Sequence, residues 1–307
     1  MMTTLRRFPI RFAPALALLA GLLLSGFWSQ PGQAGNFDDA LLWRIDAPDG
    51  GTSYLLGTMH VSDPRVIDNL APQTLEAMDA SHSAVFELIL GQQNQGALVQ
   101  RMMLDDGRGL EEILGKGLFD QLKVIAQPYG MIPSALKYLR PWAVFLMLSV
   151  PPEETFRQAR GQASLDALLQ DHAEATDKRL LALETIDEQL SIFETMSESD
   201  QIAIMADLVA NKPEMDALYE AVLIAYVDRD LGGLYELASM AGEGDPGLAE
   251  RFNESLILER NDRMAERLLP MVEQGGYFVA VGAMHLPGDN GLLTQLEDHG
   301  FAISPIH

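Results

Sequence analysis

Two nearly identical motifs lie near opposite ends of the chain. Tyr54–His60 reads YLLGTMH and Phe278–His285 reads FVAVGAMH. In each motif an apolar run ends at a glycine, and a histidine follows three residues later. An unbroken apolar run is typical of a strand that is buried on both faces of a sheet. We therefore expect the two runs to be neighbouring strands of one sheet, which brings the ends of the chain together.

Other runs predict the rest of that sheet. Leu41–Ile45 and Ser53–Leu56 flank Asp49-Gly50-Gly51, which is typical of a hairpin turn. Ser83–Leu90, the segment KRLLALE that ends at Glu184, and the terminal FAISPI are also predicted to be strands. Helices are predicted for Arg65–Ala80, for most of the chain between about residues 100 and 250, and near Asn290–His299. The predicted fold class is therefore α/β: a central, mostly buried sheet formed by N- and C-terminal strands, with a large helical insertion in the middle.

The first 34 residues have the layout of a secretory signal peptide. Arg6, Arg7 and Arg11 precede an apolar stretch from about Ala13 to Trp28, and small residues up to Ala34 suit a cleavage site. We expect residues 1–34 to be removed and residues 35–307 to form a single domain that is exported, periplasmic or secreted. No stable membrane span is expected after cleavage. An uncleaved N-terminal anchor is the alternative.

Composition excludes several classes of function. The formal net charge is −23, which disfavours nucleic-acid partners because phosphate binding needs clustered cations. The chain has no cysteine, so thiol catalysis and cysteine-ligated zinc are excluded. Any metal would be held by histidines and carboxylates. The remaining partners are a peptide or a small-molecule substrate, and the oligomeric state stays open.

The repeated motifs predict a shared functional site. The carboxyl ends of strands form the ligand crevice of open α/β sheets, and Gly57 and Gly282 would allow the backbone to turn there. His60 and His285 would then point into one crevice. The chain has only six histidines, so two in matching positions are informative. The alternative is that each histidine only caps a turn.

Three charged residues occur where apolar ones are expected. Glu87 lies inside AVFELIL, and Glu184 ends LLALE. Arg260 falls in the apolar stripe of its helix with Asn261 beside it, whereas Arg263 and Arg267 lie outside the stripe and are predicted to be solvated. A buried carboxylate must be paired, protonated or bound to metal, and an inward arginine must meet an anion. The alternatives are an exposed strand end for Glu87, a helix-terminal role for Glu184 and a structural salt bridge for Arg260.

Other catalytic motifs are missing from the sequence. It contains no Gly-x-Ser-x-Gly elbow, His-Glu-x-x-His pair, phosphate-binding loop or dinucleotide-binding glycine set. Two histidines, a buried glutamate and an inward arginine suit hydrolysis, because histidine and glutamate hold a metal or activate water and arginine stabilises an oxyanion.

Several segments together resemble the TraB/GumN family, which includes Tiki-type proteases and is distantly similar to erythromycin esterases. They are YLLGTMHVSDP, AVFEL, LRPW, SLDALL, LETIDEQLSIF, LERND and VAVGAMHLPGDNGLLTQLEDHGF. The resemblance extends from about Leu41 to the end of the chain. It implies an α/β fold with the active site at the strand ends. In Tiki-type members two Gly-x-x-His motifs and a glutamate bind a divalent metal and cleave peptides.

The resemblance places those roles on particular residues. His60, His285 and Glu87 match the metal ligands, and Arg260 matches the arginine of the ERN motif. The expected activity is that of an exported peptidase that depends on a divalent metal such as Mn, Co or Zn. A metal-free ester or amide hydrolase with a histidine base is the nearest alternative. A non-catalytic protein that binds a peptide signal or an envelope polysaccharide is another.

Overall fold

A computed structural model describes Phe37 and residues 39–89, 92–240 and 254–307. The predicted signal peptide, residues 1–34, lies outside the described residues. The centre of the molecule is a six-stranded sheet with the order β4-β3-β5-β2-β1-β6. Its strands are β1 (Leu42–Asp46), β2 (Thr52–Thr58), β3 (Ser83–Phe86), β4 (Arg179–Ala182), β5 (Tyr277–Gly282) and β6 (Ala302–Ile306).

The two motif strands are neighbours in this sheet. β2 pairs in parallel with β5, with Leu56 opposite Ala280 and Gly57 opposite Val281. β5 also pairs in parallel with β3, and β3 with β4. Four parallel strands therefore end at the same edge of the sheet. β1 and β6 add an antiparallel margin beside β2.

Helices connect and cover the strands. They are α1 (Pro64–Ile67), α2 (Pro72–Ala80), α3 (Gln92–Arg101), α4 (Leu110–Ala126), α5 (Pro133–Leu136), α6 (Pro141–Leu148), α7 (Pro152–Ala159), α8 (Leu165–Ala175), α9 (Ile186–Glu194), α10 (Glu198–Val227), α11 (Leu231–Met240), α12 (Glu259–Gln274) and α13 (Leu292–Asp298). Most lie between β3 and β5 in the sequence, so the α/β class and the helical middle region are confirmed. In the part of the chain that is described, no helix is long and apolar enough to cross a membrane.

The core lies where the central strands meet the helical region. Every residue of α6 is buried, and Trp142 of this helix stacks on Phe193 of α9 with ring centroids 5.8 Å apart. The residues of β3 are also all buried, as are most of those of β2 and β5. This burial on both faces explains the unbroken apolar runs of these strands.

Three sequence-based boundaries were wrong. The strand predicted for Ser83–Leu90 ends at Phe86, so Glu87 lies just beyond it. The helix predicted for Arg65–Ala80 is divided into α1 and α2, because Pro72 cannot donate the helical hydrogen bond and begins a new helix. The strand predicted to end at Glu184 ends at Ala182. In addition, the outer strands β4 and β6 are partly exposed, so burial on both faces is limited to the central strands.

Candidate active site

The predicted site residues converge at the carboxyl edge of the four parallel strands. Glu87 follows β3 directly, Glu184 lies two residues beyond β4, and His60 lies two residues beyond β2. His285 ends a 3₁₀ turn, Ala283–His285, that continues from β5. Each of these four side chains is on a residue that is at most 5% exposed. The strand order therefore gathers residues from four distant segments into one buried cluster.

Glu87 is the centre of this cluster. Its Oε2 lies 2.7 Å from Nη2 of Arg260, and its Oε1 accepts a hydrogen bond from the backbone N–H of Gly282. Nε2 of His285 lies 3.8 Å from Oε1. Burial opposes ionisation, but Arg260, His285 and His60 outweigh it and lower the pKa of Glu87 to about 2. Glu87 is therefore a carboxylate at neutral pH.

Arg260 joins Glu87 to Glu184. It lies on α12 within the apolar stripe, as the sequence predicts, and is 5% exposed. Its Nη2 lies 2.6 Å from Oε2 of Glu184, and its Nε donates to both oxygens of that carboxylate. Its Nη1 donates to the carbonyl of Leu256, in the π-helical turn Glu254–Leu258 that precedes α12. The guanidinium is thus held on all sides by acceptors of this chain.

Gln189 of α9 bridges the same two carboxylates. Its Nε2 donates to Oε2 of Glu184 at 3.1 Å and to Oε2 of Glu87 at 3.3 Å. Its own Oε1 is buried and has no partner among the described residues. The sequence interpretation missed this residue. Its position four residues before the buried Phe193, within the apolar stripe of α9, is the same signal that identified Arg260.

His285 is oriented by Asn261. Nδ1 of His285 lies 2.6 Å from Oδ1 of Asn261, whose Nδ2 donates to the carbonyl of Asn290 at 2.8 Å. Since Oδ1 can only accept, the imidazole proton lies on Nδ1 and Nε2 carries the lone pair. Burial, followed by Arg260, lowers the pKa of His285 to about 4. This histidine is therefore neutral at pH 7.

His60 is oriented by Asp166, the second residue of α8. Nδ1 of His60 lies 2.6 Å from Oδ2 of Asp166, and the hydroxyl of Thr58 donates to the other oxygen at 2.7 Å. Burial disfavours the charged imidazole, but Asp166 and, further away, Glu87 outweigh it and raise the pKa of His60. The twin histidines therefore have opposite electrostatic surroundings. Asp166 belongs to the SLDALL segment, and the sequence interpretation gave it no role.

The two motif glycines are close-packed. A Cβ on Gly57 would lie 3.0 Å from Cα of Ala283, and a Cβ on Gly282 would lie 3.1 Å from Oε1 of Glu87. Both glycines therefore allow close approach of neighbouring groups, although Gly57 lies within β2 and not at a turn. The backbone N–H of Gly282 reaches Glu87 because no side chain intervenes.

The prediction that Arg263 and Arg267 are solvated charges was wrong. Arg263 Nη2 lies 3.1 Å from Oε1 of Glu184, and Arg267 pairs with Glu188 at 2.6 Å and with the carbonyl of Leu183. Both side chains are partly exposed, but they extend along α12 toward the end of β4. They balance the negative charge that Glu184 and Glu188 bring to that end of the sheet.

The donor chemistry of the cluster fits a divalent ion. Both histidines have Nδ1 beside a side-chain oxygen, which is the outer contact that orients metal-binding imidazoles and leaves Nε2 free. Glu87 adds a carboxylate oxygen beside Nε2 of His285. Within the described ranges, no three His, Asp or Glu side chains are already gathered in a metal-binding arrangement. Binding would therefore require the three groups to draw together.

Comparison with known proteins relates this sequence to a family. The TraB/PrgY/gumN family model matches residues 41–305. The chain is 26% identical to "Metalloprotease TIKI1" of Homo sapiens over 327 residues, which are 88% of this chain and 63% of that protein. It is also 26% identical to "Metalloprotease TIKI1" of Xenopus tropicalis over 317 residues, or 86% and 61% of the two chains.

A third relative, with slightly lower identity, is also named a metalloprotease. "Metalloprotease TIKI homolog" of Nematostella vectensis is 24% identical over 321 residues, which are 87% of this chain and 67% of that protein. The chain spans about three fifths of the length of the TIKI1 relatives. No solved structure matches. Since the family model covers almost all of the sheet and the helices between its strands, the chain belongs to the TraB/PrgY/gumN family.

Proposed function

We propose that this protein is a hydrolase that uses a divalent ion to cleave peptide bonds. His60, His285 and Glu87 would hold the ion, and Mn, Co and Zn suit such a set of imidazole and carboxylate donors. The names of the TIKI relatives support a metalloprotease. The observation that carries the proposal is the matched orientation of the two histidines, each with Nδ1 beside a side-chain oxygen.

The residues around these three ligands would orient them and keep them in the right protonation state. When bound, a divalent ion supplies a Lewis acid and a water of lowered pKa. Arg260 keeps Glu87 ionised and fixed, and its own contacts leave it as an orienting group. Asp166 and Asn261 fix the tautomers of His60 and His285. Burial of the whole cluster excludes bulk water, which strengthens each electrostatic contact.

The N-terminal sequence adds a proposal on location. Residues 1–34 would direct export, and the hydrolase would act in the periplasm or outside the cell. Peptides available there are the proposed substrates. A fusion of residues 1–34 to a reporter that is active only outside the cytoplasm tests this, and a silent fusion would count against export.

Peptide hydrolysis by the purified protein tests the activity. A library of quenched fluorescent peptides would be incubated with Mn, Co or Zn in turn. We expect turnover by the wild type and a loss of a hundredfold or more in His60→Ala and His285→Ala, since each removes a proposed ligand. His172→Ala is the matched control, because His172 is a partly exposed histidine paired with Asp79. Equal turnover by His60→Ala and His172→Ala would exclude the proposal.

The contact between His60 and Asp166 favours a second candidate, a metal-free ester or amide hydrolase. A buried histidine beside a partly buried carboxylate is the arrangement of a general base that activates water. Asp166→Asn would then lower turnover by about a hundred- to ten-thousandfold, and a chelator would leave wild-type turnover unchanged. A chelator that abolishes turnover would favour the metal-dependent hydrolase. Peptide binding without turnover under any condition would indicate a binding protein.

A further inference from the structure

A second buried polar cluster lies directly after His60. Ser62 and Asp63 continue the segment that carries this histidine. Ser62 contacts Glu154 of α7, Asp63 contacts Arg157, and Gln158 of the same helix contacts Glu154. Glu154 is completely buried, and Ser62, Asp63 and Gln158 are at most 5% exposed. The proposed hydrolytic chemistry uses none of these side chains, although Ser62 is only two residues from His60.

Glu154 uses both of its carboxylate oxygens. Oε1 accepts from the backbone N–H of Ser62 at 2.7 Å, from the Ser62 hydroxyl at 2.6 Å and from Nε2 of Gln158 at 2.8 Å. Oε2 accepts from Nη2 of Arg157 at 2.8 Å and from Nε at 3.1 Å. A buried carboxylate is costly unless its lone pairs are satisfied, and here five donor contacts satisfy them. The carboxylate therefore holds Ser62 by both its backbone and its side chain.

Arg157 contacts Asp63 as well as Glu154. Its Nη2 lies 3.1 Å from Oδ2 of Asp63, and the other oxygen, Oδ1, accepts from the backbone N–H of Arg65 at the start of α1. The segment is thus fixed to α7 at two successive residues. A glutamine at position 154 could not satisfy both partners of Glu154, since its amide would place N–H donors against either Ser62 or Arg157.

Other contacts fix the segment on its opposite side. The carbonyl of Val61 accepts from the backbone N–H of Leu165 at 3.0 Å. The next residue along α8 is Asp166, which contacts both Thr58 and His60. Residues 59–63 belong to no strand or helix, so these side-chain and backbone contacts take the place of a regular hydrogen-bond ladder. His60 is therefore held between α7 and α8.

We propose that Glu154 is a positioning residue for His60. By holding Ser62, its carboxylate keeps the imidazole of His60 against Asp166. Its effect on catalysis rests on the proposed function, because turnover depends on the position of the His60 imidazole only if His60 takes part in catalysis. Its effect on geometry does not depend on that function. Glu154 touches neither the imidazole nor Asp166, so its influence passes through the backbone of Val61 and Ser62.

The test compares Glu154→Gln with Glu153→Gln in the full-length protein. Glu153 is the preceding residue of the same helix and is exposed, so it is a matched control. Amide hydrogen exchange at residues 61–63 measures how strongly the backbone of this segment is protected by its hydrogen bonds. Proton and nitrogen NMR of labelled histidine, assigned with His60→Ala, reports the Nδ1–H of His60 beside Asp166. Circular dichroism confirms that each variant is folded.

We expect Glu154→Gln to speed exchange at Ser62 by about ten- to a hundredfold, the range for losing a charge-assisted hydrogen bond. The Nδ1–H signal of His60 should shift or broaden, and Glu153→Gln should change neither. A folded Glu154→Gln protein with unchanged exchange and an unchanged His60 signal would overturn the proposal.

Ser62→Ala provides a second test if Glu154→Gln does not fold. It removes only the hydroxyl contact, so it should move the His60 signal in the same direction by a smaller amount. An unmoved signal would also overturn the proposal. If the wild type has no hydrolytic turnover, the proposed function fails, and the exchange and NMR results still decide the role of Glu154. If turnover exists, Glu154→Gln should lower kcat more than it raises KM.

Discussion

Arg260 and Glu184 form an ion pair, with Nη2 and Oε2 2.6 Å apart, that is almost completely removed from solvent. The same Nη2 lies 2.7 Å from Oε2 of Glu87. One guanidinium therefore sits between two buried carboxylates that lie at the ends of adjacent strands, β3 and β4. Without the cation, these two carboxylates would repel each other in a medium of low polarity. The stability of this end of the sheet thus depends on Arg260.

We expect Arg260→Met to lower the free energy of unfolding by about 3–5 kcal/mol, because it leaves two buried carboxylates without their cation. Urea denaturation measures this change. Arg108→Met is the control, since Arg108 pairs with Asp106 and Glu198 at the exposed surface and its loss should change stability far less. Similar losses in both variants would mean that the buried arrangement is not formed.

The lowered pKa of His285 predicts a pH dependence of stability. In the unfolded chain a histidine has a pKa of about 6.5, whereas in the fold the pKa of His285 is about 4. Between these values the unfolded state binds a proton that the folded state does not. Stability should therefore fall as the pH falls through this window, with a slope of up to about 1.4 kcal/mol per pH unit from this one group.

The window from pH 6.5 to 4.5 isolates this effect. His60, whose pKa is raised, adds a slope of opposite sign that fades as the pH falls below about 6.5, because the histidine becomes protonated in both states. Glu87, whose pKa is lowered to about 2, contributes stability that is lost only below about pH 4.5. Denaturation of protein freed of divalent ions, with His285→Gln as the comparison, measures the slope. A slope that persists in His285→Gln would assign it to other groups.

The motif glycines predict a clear ranking of alanine variants. Gly57→Ala should lower stability by about 1–3 kcal/mol, because its Cβ would press on the backbone of Ala283. Gly282→Ala should also displace Oε1 of Glu87 and so weaken any ion bound there. Gly117 of α4 is exposed and has open space at the Cβ position, so Gly117→Ala should stabilise the helix by about 0.5–1 kcal/mol. Thermal denaturation of the three variants tests the ranking, which equal losses would contradict.

Much of the fold could be predicted from the sequence, because apolar runs report burial directly. The runs that contain Gly57 and Gly282 predict central strands, and these strands are parallel neighbours. Glu87 and Arg260 stand out for the same reason, since each interrupts an apolar pattern, and they form a buried pair. The strand end at Phe86 was missed because Glu87 and Leu88 remain buried without belonging to the sheet.

Asp166 shows what the sequence could not provide. An acid in the first turn of a helix is explained by the helix dipole alone, so nothing local marks it as a partner of His60. Thr58, which holds its other oxygen, is 108 residues away. The contact exists because the backbone of Leu165 bonds to Val61 and sets α8 beside β2. Glu154 was missed for the same reason, since an acid near the start of α7 is ordinary until its burial is known.

The most direct test of the account is the metal content of the purified protein. Wild type would be measured by elemental analysis after equilibration with Mn, Co or Zn, beside His60→Ala/His285→Ala and the control His172→Ala. We expect about one ion per chain in wild type and in the control, and none in the double variant. Wild type that binds no ion, or a double variant that binds as much as wild type, would contradict the claim that the twin histidines share a metal site.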